Sequence, residues 1–417
     1  MADIGTSKER SSELAALQAA ANRGRERAAP RTTTQAKLPS AKSPFEIESP
    51  ERVRMRLRRL LGQVQDRMNK GVTRAPNILP FLYECLLGRT DLLAVRYLEE
   101  GESCARSVGR ISVANRPCGT GFLVSSRLLL TNHHVLPTPD HAARAEIQFN
   151  YEEPRPPAAM RFENFRFCAD EFFISSEDLD YTLIAVEPHS ESDTAMLSEF
   201  SFLPLIGEEG KCLVGERVNI IQHPRGELKQ VALRENQVVD LLADHVHYRA
   251  DTMHGSSGAP VCNDQWEVVA LHHMAVPRCD EQGRILNRSG GVWDEDQGAD
   301  AIDHIANEGI RVSSLVRDLR ARRATLAAAA QALLDQVLLG KAPALASPVL
   351  PLPLPSVVPP ALSPAAAPSL SLSAEPLCRV VEIVAPVAQP LRIRLDLHIT
   401  PDSGCAVRAP ELPEPAA

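Results

Sequence analysis

No stretch of this 417-residue chain approaches the roughly 18 uncharged apolar residues that a membrane span requires, and none is expected. Its first thirty residues, MADIGTSKERSSELAALQAAANRGRERAAP, lack the apolar core and small-residue cleavage site of a secretory leader, which points to the cytoplasm. An excess of positive charge is also missing. The formal charge is -8 and the pI about 5.9, which argues against a nucleic-acid-binding surface, because such domains are usually basic. The nine cysteines (Cys85, Cys104, Cys118, Cys168, Cys212, Cys262, Cys279, Cys378 and Cys405) are odd in number and form no CxxC pair. They read as scattered thiols, not as a disulfide framework or a zinc site. The twelve histidines include the clusters His133/His134, His245/His247 and His272/His273, but no H-E-x-x-H. Neither a metal nor a cofactor is expected.

Hydrophobic residues make up 44% and charged residues 24% of the chain, enough for an ordinary globular core. At about 100–200 residues per domain there is room for two or three domains. Residues 1–45 are polar, rich in Arg, Lys, Ser and Thr, and read as a disordered segment. Residues 46–104 read as a helical region. Ser49 can cap a first helix, Pro50 suits its first turn, and Val53, Leu57, Leu60, Leu61, Val64 and Met68 recur at helical spacing. A second helical stretch is expected around 80–107, interrupted near Gly88 and Gly101. From 105 to 315 short β-rich runs such as TGFLVSS, YTLIAVE and WEVVALHHM alternate with Gly, Pro and Asp turns, the mark of a sandwich or a barrel. A C-terminal helix is read at 316–340, within an Ala/Leu-rich helical pattern over 313–339, and a Pro/Ala-rich linker follows at 341–376. The tail at 377–417 holds one alternating strand, in which Leu391, Ile393, Leu395, Leu397 and Ile399 share a face.

Three segments carry chemistry together: GTGFLVSSRLLLTNHHVL (119–136), EDLDYTLIAVE (177–187) and DTMHGSSGAPV (251–261). A serine hydroxyl is a weak nucleophile and needs a base. Histidine titrates near neutrality and suits that role. A buried carboxylate must orient the imidazole, and backbone N–H groups must face the developing oxyanion. Glycines beside the serine let the backbone form that tight pocket. Gly255 and Gly258 flank Ser256 and Ser257 in the required way, with the amides of Gly255 and Ser257 as the donors.

The T-N-x-H-V, D-x-T-L and G-S-S-G-x-P-V elements resemble those of chymotrypsin-fold serine peptidases, particularly the bacterial glutamyl-endopeptidase (V8-like) branch. The order His, Asp, Ser is that fold's order. The resemblance covers roughly 105–315. It implies an all-β core, a chymotrypsin-like double β-barrel, here with N-terminal helices, a C-terminal helix and a linker to a small β tail. It also implies a serine endopeptidase acting on a protein or peptide without a cofactor. Carried over residue by residue, the base is His134 and not His133, the orienting acid Asp180 and not Asp178, and the nucleophile Ser257 and not Ser256. In this fold the S1 pocket is lined just before the nucleophile and on the following strand. Asp251, six residues before Ser257, matches the acidic residue of trypsin-like enzymes and would favour Arg or Lys. Thr252 and His272 resemble the carboxylate-binding pocket of glutamyl endopeptidases and favour Glu at P1. A protonated or neutral His272 can donate to such a carboxylate, and His273 is expected to face the other side of the strand. The sequence departs from that branch at Ala259 and at His254, which could narrow the cleft.

Two other readings stand beside the enzyme. One is a protease-like module that binds peptides without cleaving them. The other is a peptidase regulated through its terminal regions, for instance by a protein partner.

Overall fold

The computed structural model describes residues 7–41, 43–69, 93–114, 116–154, 160–340, 379–384, 392–398 and 406–407. The chain divides into two compact units, Met1–Leu57 with Leu82–Ala344, and Arg58–Phe81 with Leu345–Ala417.

In the larger unit two seven-stranded antiparallel sheets follow one another. The first is built from β1 (Val108–Val113), β2 (Arg116–Leu123), β3 (Leu128–Thr131), β4 (Ala145–Phe149), β5 (Glu163–Arg166), β6 (Phe173–Ser176) and β7 (Tyr181–Ala185), in the order β5-β4-β1-β2-β3-β7-β6. The second is built from β8 (Asn219–Gln222), β9 (Gln230–Ala232), β10 (Gln237–Leu241), β11 (His245–Arg249), β12 (Pro260–Cys262), β13 (Val268–Pro277) and β14 (His304–Arg311), in the order β10-β11-β14-β13-β12-β8-β9. Each sheet curls into a half-barrel, and the expected double β-barrel is present.

The strands' period of two sorts their side chains into separate cores. On β3, Leu129 enters the interior of the first barrel with Ile111, Ile147, Phe149 and Phe165. Its neighbours Leu128 and Leu130 point the other way, into a layer shared with Leu183, Ile221, Leu271 and Ile310. The second barrel is filled by Val218, Ile220, Val238, Val246, Tyr248 and Val261.

The N-terminal region departs from expectation. Residues expected to be disordered form α1 (Ser7–Glu26) and α2 (Ala28–Lys37). The Ala-rich stretch LAALQAAA favours a helix intrinsically, and tertiary anchors hold it: Ala21 is buried with Ile285 and Ile302, with Leu17 and Trp293 packed alongside. A third helix, α3 (Pro50–Asn69), starts at the predicted proline, and Val53 is buried. Of the second predicted helix, α4 (Arg96–Arg106) is seen, while Gly88 lies outside the described residues. Gly101 does not break α4. A Cβ there would come within 2.5 Å of the Trp266 ring, whose Nε1–H donates to Tyr97 O at 2.9 Å, so the glycine makes room for packing. The C-terminal helix is two helices, α5 (Val312–Arg322) and α6 (Ala328–Leu338), with a 3-10 turn at Arg323–Thr325 between them.

In the smaller unit β15 (Arg379–Val384), β16 (Arg392–His398) and β17 (Ala406–Val407) pair antiparallel, with Ile383 opposite Ile393 and Val381 opposite Leu395. The predicted tail strand is thus present over 392–398. Leu391, Ile399 and the predicted linker lie outside the described residues. No helix among the described residues is long and apolar enough to cross a membrane.

A buried ion pair ties α3 to the second barrel. Arg56 Nε donates to Glu216 Oε1 at 3.1 Å, and its Nη2 donates to Gln265 Oε1 at 2.9 Å. Removing the cation alone strands a buried carboxylate. Arg56→Met is therefore expected to cost about 3–5 kcal/mol in urea unfolding, and adding Glu216→Leu should recover most of it. An unchanged single variant would contradict the assignment.

Candidate active site

The predicted site residues come from both barrels. His134 follows β3, Asp180 immediately precedes β7, and Ser257 lies in the connection from β11 to β12. The Asn132 side-chain amide donates to Asp180 O at 2.8 Å and links the first two segments. Asp180 adopts a positive φ of 38°, and both its oxygens meet His134: the His134 backbone N–H donates to Oδ1 at 2.9 Å, and ring Nδ1 lies 2.7 Å from Oδ2. The Asp180 side chain is 10% exposed and that of His134 46% exposed, so the acid is sheltered while the base reaches the cleft.

Burial opposes the charge on Asp180. The His134 and His273 imidazoles outweigh it and hold the carboxyl well below its ordinary range. An ionised carboxylate only accepts, so Nδ1 of His134 must carry the proton and Nε2 is left free to take one. For His134 burial also opposes the charged form, but Asp180 more than compensates and its pKa is raised.

The two serines of the turn differ in their surroundings. Ser256 is fully buried, and its Oγ accepts the Met253 N–H at 3.2 Å, bracing the turn. Ser257 is partly exposed and lines the same cleft as His134. Its Oγ lies 3.5 Å from the His273 carbonyl and makes no hydrogen bond to the His134 ring among the described contacts. Such bonds are often long in unliganded sites and tighten on substrate binding. Gly255 (φ 93°) and Gly258 (φ 87°) are in the left-handed region, and a Cβ on Gly258 would fall 2.1 Å from Thr120 O. From the first barrel, Thr120 N–H donates to Ser257 O and Thr120 Oγ1 donates to Gly255 O, both at 2.8 Å. Among the described residues the Gly255 and Ser257 amides have no protein acceptor, so they are available to an oxyanion.

The predicted S1 residues line the same cleft. Thr252 Oγ1 donates to Asn307 Oδ1 at 2.7 Å, and Asn307 donates to Ala250 O at 2.7 Å. His272 is buried, and its Nδ1 lies 2.6 Å from Tyr248 Oη. Burial pushes the imidazole down to about 3 and keeps the Tyr248 phenol protonated, so Tyr248 donates to Nδ1 and Nε2–H remains as the donor. Asp251 and His254 are exposed at the rim. His273 does turn away from His272, but towards Asp180, with Nδ1 2.5 Å from Oδ2.

Sequence reasoning missed several participants. Glu308 on β14 is fully buried and is held below its ordinary range; burial opposes this, and Arg23 and His247 prevail. Arg23 comes from α1, whose Glu13, Leu14 and Leu17 line the cleft beside His134 and Ser257. The histidine clusters weighed as metal ligands take protein partners: His133 meets Ser175 Oγ at 2.7 Å, and His247 meets Glu308 at 2.9 Å. His134, Asp180 and His273 offer ligand atoms within 4.8 Å of one another, with Asp180 Oδ2 2.7 Å from His134 Nδ1 and 2.5 Å from His273 Nδ1.

Residues 119–271 match the model of the trypsin-like peptidase domain. The uncharacterized protein y4fB of Sinorhizobium fredii is 36% identical over 280 residues, which are 61% of this chain and 42% of that protein. The secreted RxLR effector protein 73 of Plasmopara viticola is 29% identical over 174 residues, covering 37% and 40%. The chain thus spans about two fifths of the length of the curated relatives it matches. Among solved structures, an inactive form of Rv3671c from M. tuberculosis aligns with a TM-score of 0.35 at 16% identity, over 54% of this chain and 91% of that one. The active form of the Rv3671c protease aligns at 0.34 and 15%, over 53% and 82%.

The depressed carboxyls of Asp180 and Glu308 contribute to stability in a pH-dependent way. Folded-state values below the unfolded values of about 4 mean that the stabilisation is complete above that pH and drains away below it. Asp180→Asn should be less stable than wild type at pH 7 and lose less between pH 5 and 3 in thermal melts. Parallel curves for the two proteins would contradict the assignment.

Proposed function

We propose that the chain is a serine endopeptidase in which Ser257 attacks the scissile carbonyl, His134 carries the proton and Asp180 orients His134. The observation that carries this reading is the double contact of Asp180 with His134, which leaves Nε2 as the acceptor in the cleft that Ser257 lines. In the first step the Ser257 proton passes to His134 Nε2 as the Oγ–carbon bond forms. The negative charge on the carbonyl oxygen falls to the Gly255 and Ser257 amides. Collapse expels the amine, which takes the proton from His134. Water then repeats the sequence and frees Ser257. Because His134 must be neutral to act, kcat/KM should rise with pH through an inflection above the ordinary histidine value of about 6.5.

We infer a preference for Glu at P1. A neutral His272 Nε2–H offers a donor to a carboxylate, and Thr252, whose own proton goes to Asn307 Oδ1, lines the same cleft, although the exposed Asp251 works against it. Hydrolysis of a peptide library should show cleavage after Glu and fall about 10⁶-fold in Ser257→Ala. Cleavage surviving Ser257→Ala would overturn the mechanism, and cleavage after Arg or Lys would overturn the pocket assignment alone.

The N-terminal segment is read as regulatory. Helix α1 borders the cleft, bonds Glu177 through Ser12 at 3.4 Å and Gly283 O through Gln18 at 3.0 Å, and is followed by the bidentate Arg27–Asp240 pair at 2.8 Å. A peptide needs the space that Glu13, Leu14 and Leu17 border. Leu14→Ala trims the cleft side of α1 while leaving Arg23 on Glu308, and should raise hydrolysis of large substrates above wild type. Unchanged or lower rates in a folded variant would remove the regulatory role.

A further inference from the structure

We propose that His273 and Glu308 are positioning residues: they form a second imidazole–carboxylate pair that fixes the Asp180 carboxylate on His134. The proposal rests on the reading of His134, Asp180 and Ser257 as the catalytic groups. Asp180 Oδ2 is shared by two imidazole nitrogens, His134 Nδ1 at 2.7 Å and His273 Nδ1 at 2.5 Å, while Oδ1 takes the His134 backbone N–H. Three donors on two oxygens leave the carboxylate no alternative rotamer of equal satisfaction. The rings of His134 and His273 meet edge to face with centroids 6.2 Å apart. With a side chain only 7% exposed, His273 supports the carboxylate and is no rival base in the cleft.

Behind His273 stands Glu308. Its Oε1 is 3.8 Å from His273 Nε2, and its side chain has no exposed surface. Arg23 braces it with two bonds, Nε–Oε2 at 2.8 Å and Nη2–Oε1 at 2.5 Å, and His247 Nε2 contacts Oε2 at 2.9 Å. A buried carboxylate so fully engaged cannot swing, and it sets a fixed negative charge at the far side of the His273 ring. The charged and titratable groups around His273 are therefore Asp180 before β7, His134 after β3, Glu308 on β14, His245 and His247 on β11, His272 on its own strand, and Arg23 on α1, with Glu13 of α1 acting on His134.

The test uses the full-length protein with His273→Asn, which retains an N–H near the Nδ1 place, His273→Leu, which retains bulk without a donor, and Glu308→Gln. Two readouts are needed: the titration of His134 by histidine-labelled NMR, which requires no turnover, and the pH dependence of acylation by a fluorophosphonate probe. Freed of its second donor, Asp180 interacts more strongly with His134, so His273→Leu should move the His134 titration to higher pH. Its acylation plateau should fall about 10–100-fold as the carboxylate loses its aim, while His273→Asn stays within about 3-fold of wild type. Removing the negative charge in Glu308→Gln should move the His134 titration to lower pH, and this variant carries the test if His273→Leu does not fold. The proposal is overturned if the His134 titration stays at the wild-type position in the folded Leu and Gln variants, or if Asn behaves like Leu. Titrations that move as expected in a protein the probe never labels would uphold the positioning role and sink the catalytic reading instead.

Discussion

A negative charge kept in a sheltered place organises this molecule. The Asp180 carboxylate lies at the junction of the two barrels and is stable there only while donors surround it. Those donors come from separate parts of the chain: His134 from the turn after β3 and His273 from β13 of the other barrel. The ionised Asp180 thus adds a polar link between the two barrels to the apolar layer they share. Glu308 repeats the arrangement one layer deeper, with Arg23 drawn from the N-terminal helix.

The serine turn depends on the same junction. Gly255 and Gly258 adopt backbone conformations that other residues enter only with strain, and Thr120 of the first barrel grips the Gly255 and Ser257 carbonyls. With those carbonyls engaged, the Gly255 and Ser257 amides remain available. In the proposed mechanism, the groups that activate the hydroxyl and those that receive the oxyanion are both held by contacts between the barrels.

Much of this was legible in the sequence, because local chemistry dictates it. The alternation of apolar residues in runs such as YTLIAVE and WEVVALHHM marks strands, and the Gly255–Gly258 frame marks a turn that needs glycine. Ser256 is buried in its turn and His133 contacts Ser175, whereas His134 contacts Asp180 and Ser257 lines the cleft. What was not legible depends on long-range pairing. Glu308 is an unremarked acid in a β-run until β14 pairs with β11 and β13, and Arg23 is one basic residue among many until α1 settles on the second barrel. The segment expected to be disordered was misjudged for the same reason: its composition is polar, but Leu17 and Ala21 are anchored by Ile285 and Ile302, far away in the chain. Gly101 was misread as a helix breaker because Trp266, the residue that needs the gap, is far away in the chain.

The most direct test of the account is to treat the full-length protein with a fluorophosphonate probe at pH 8 and locate the adduct by peptide mass spectrometry. An activated serine needs no matching substrate to react, so the experiment bears on activation alone. The account predicts a single adduct on Ser257, lost in Ser257→Ala and in His134→Ala and retained in Ser256→Ala. An adduct on Ser256, or labelling of Ser257 that persists without His134, would contradict it.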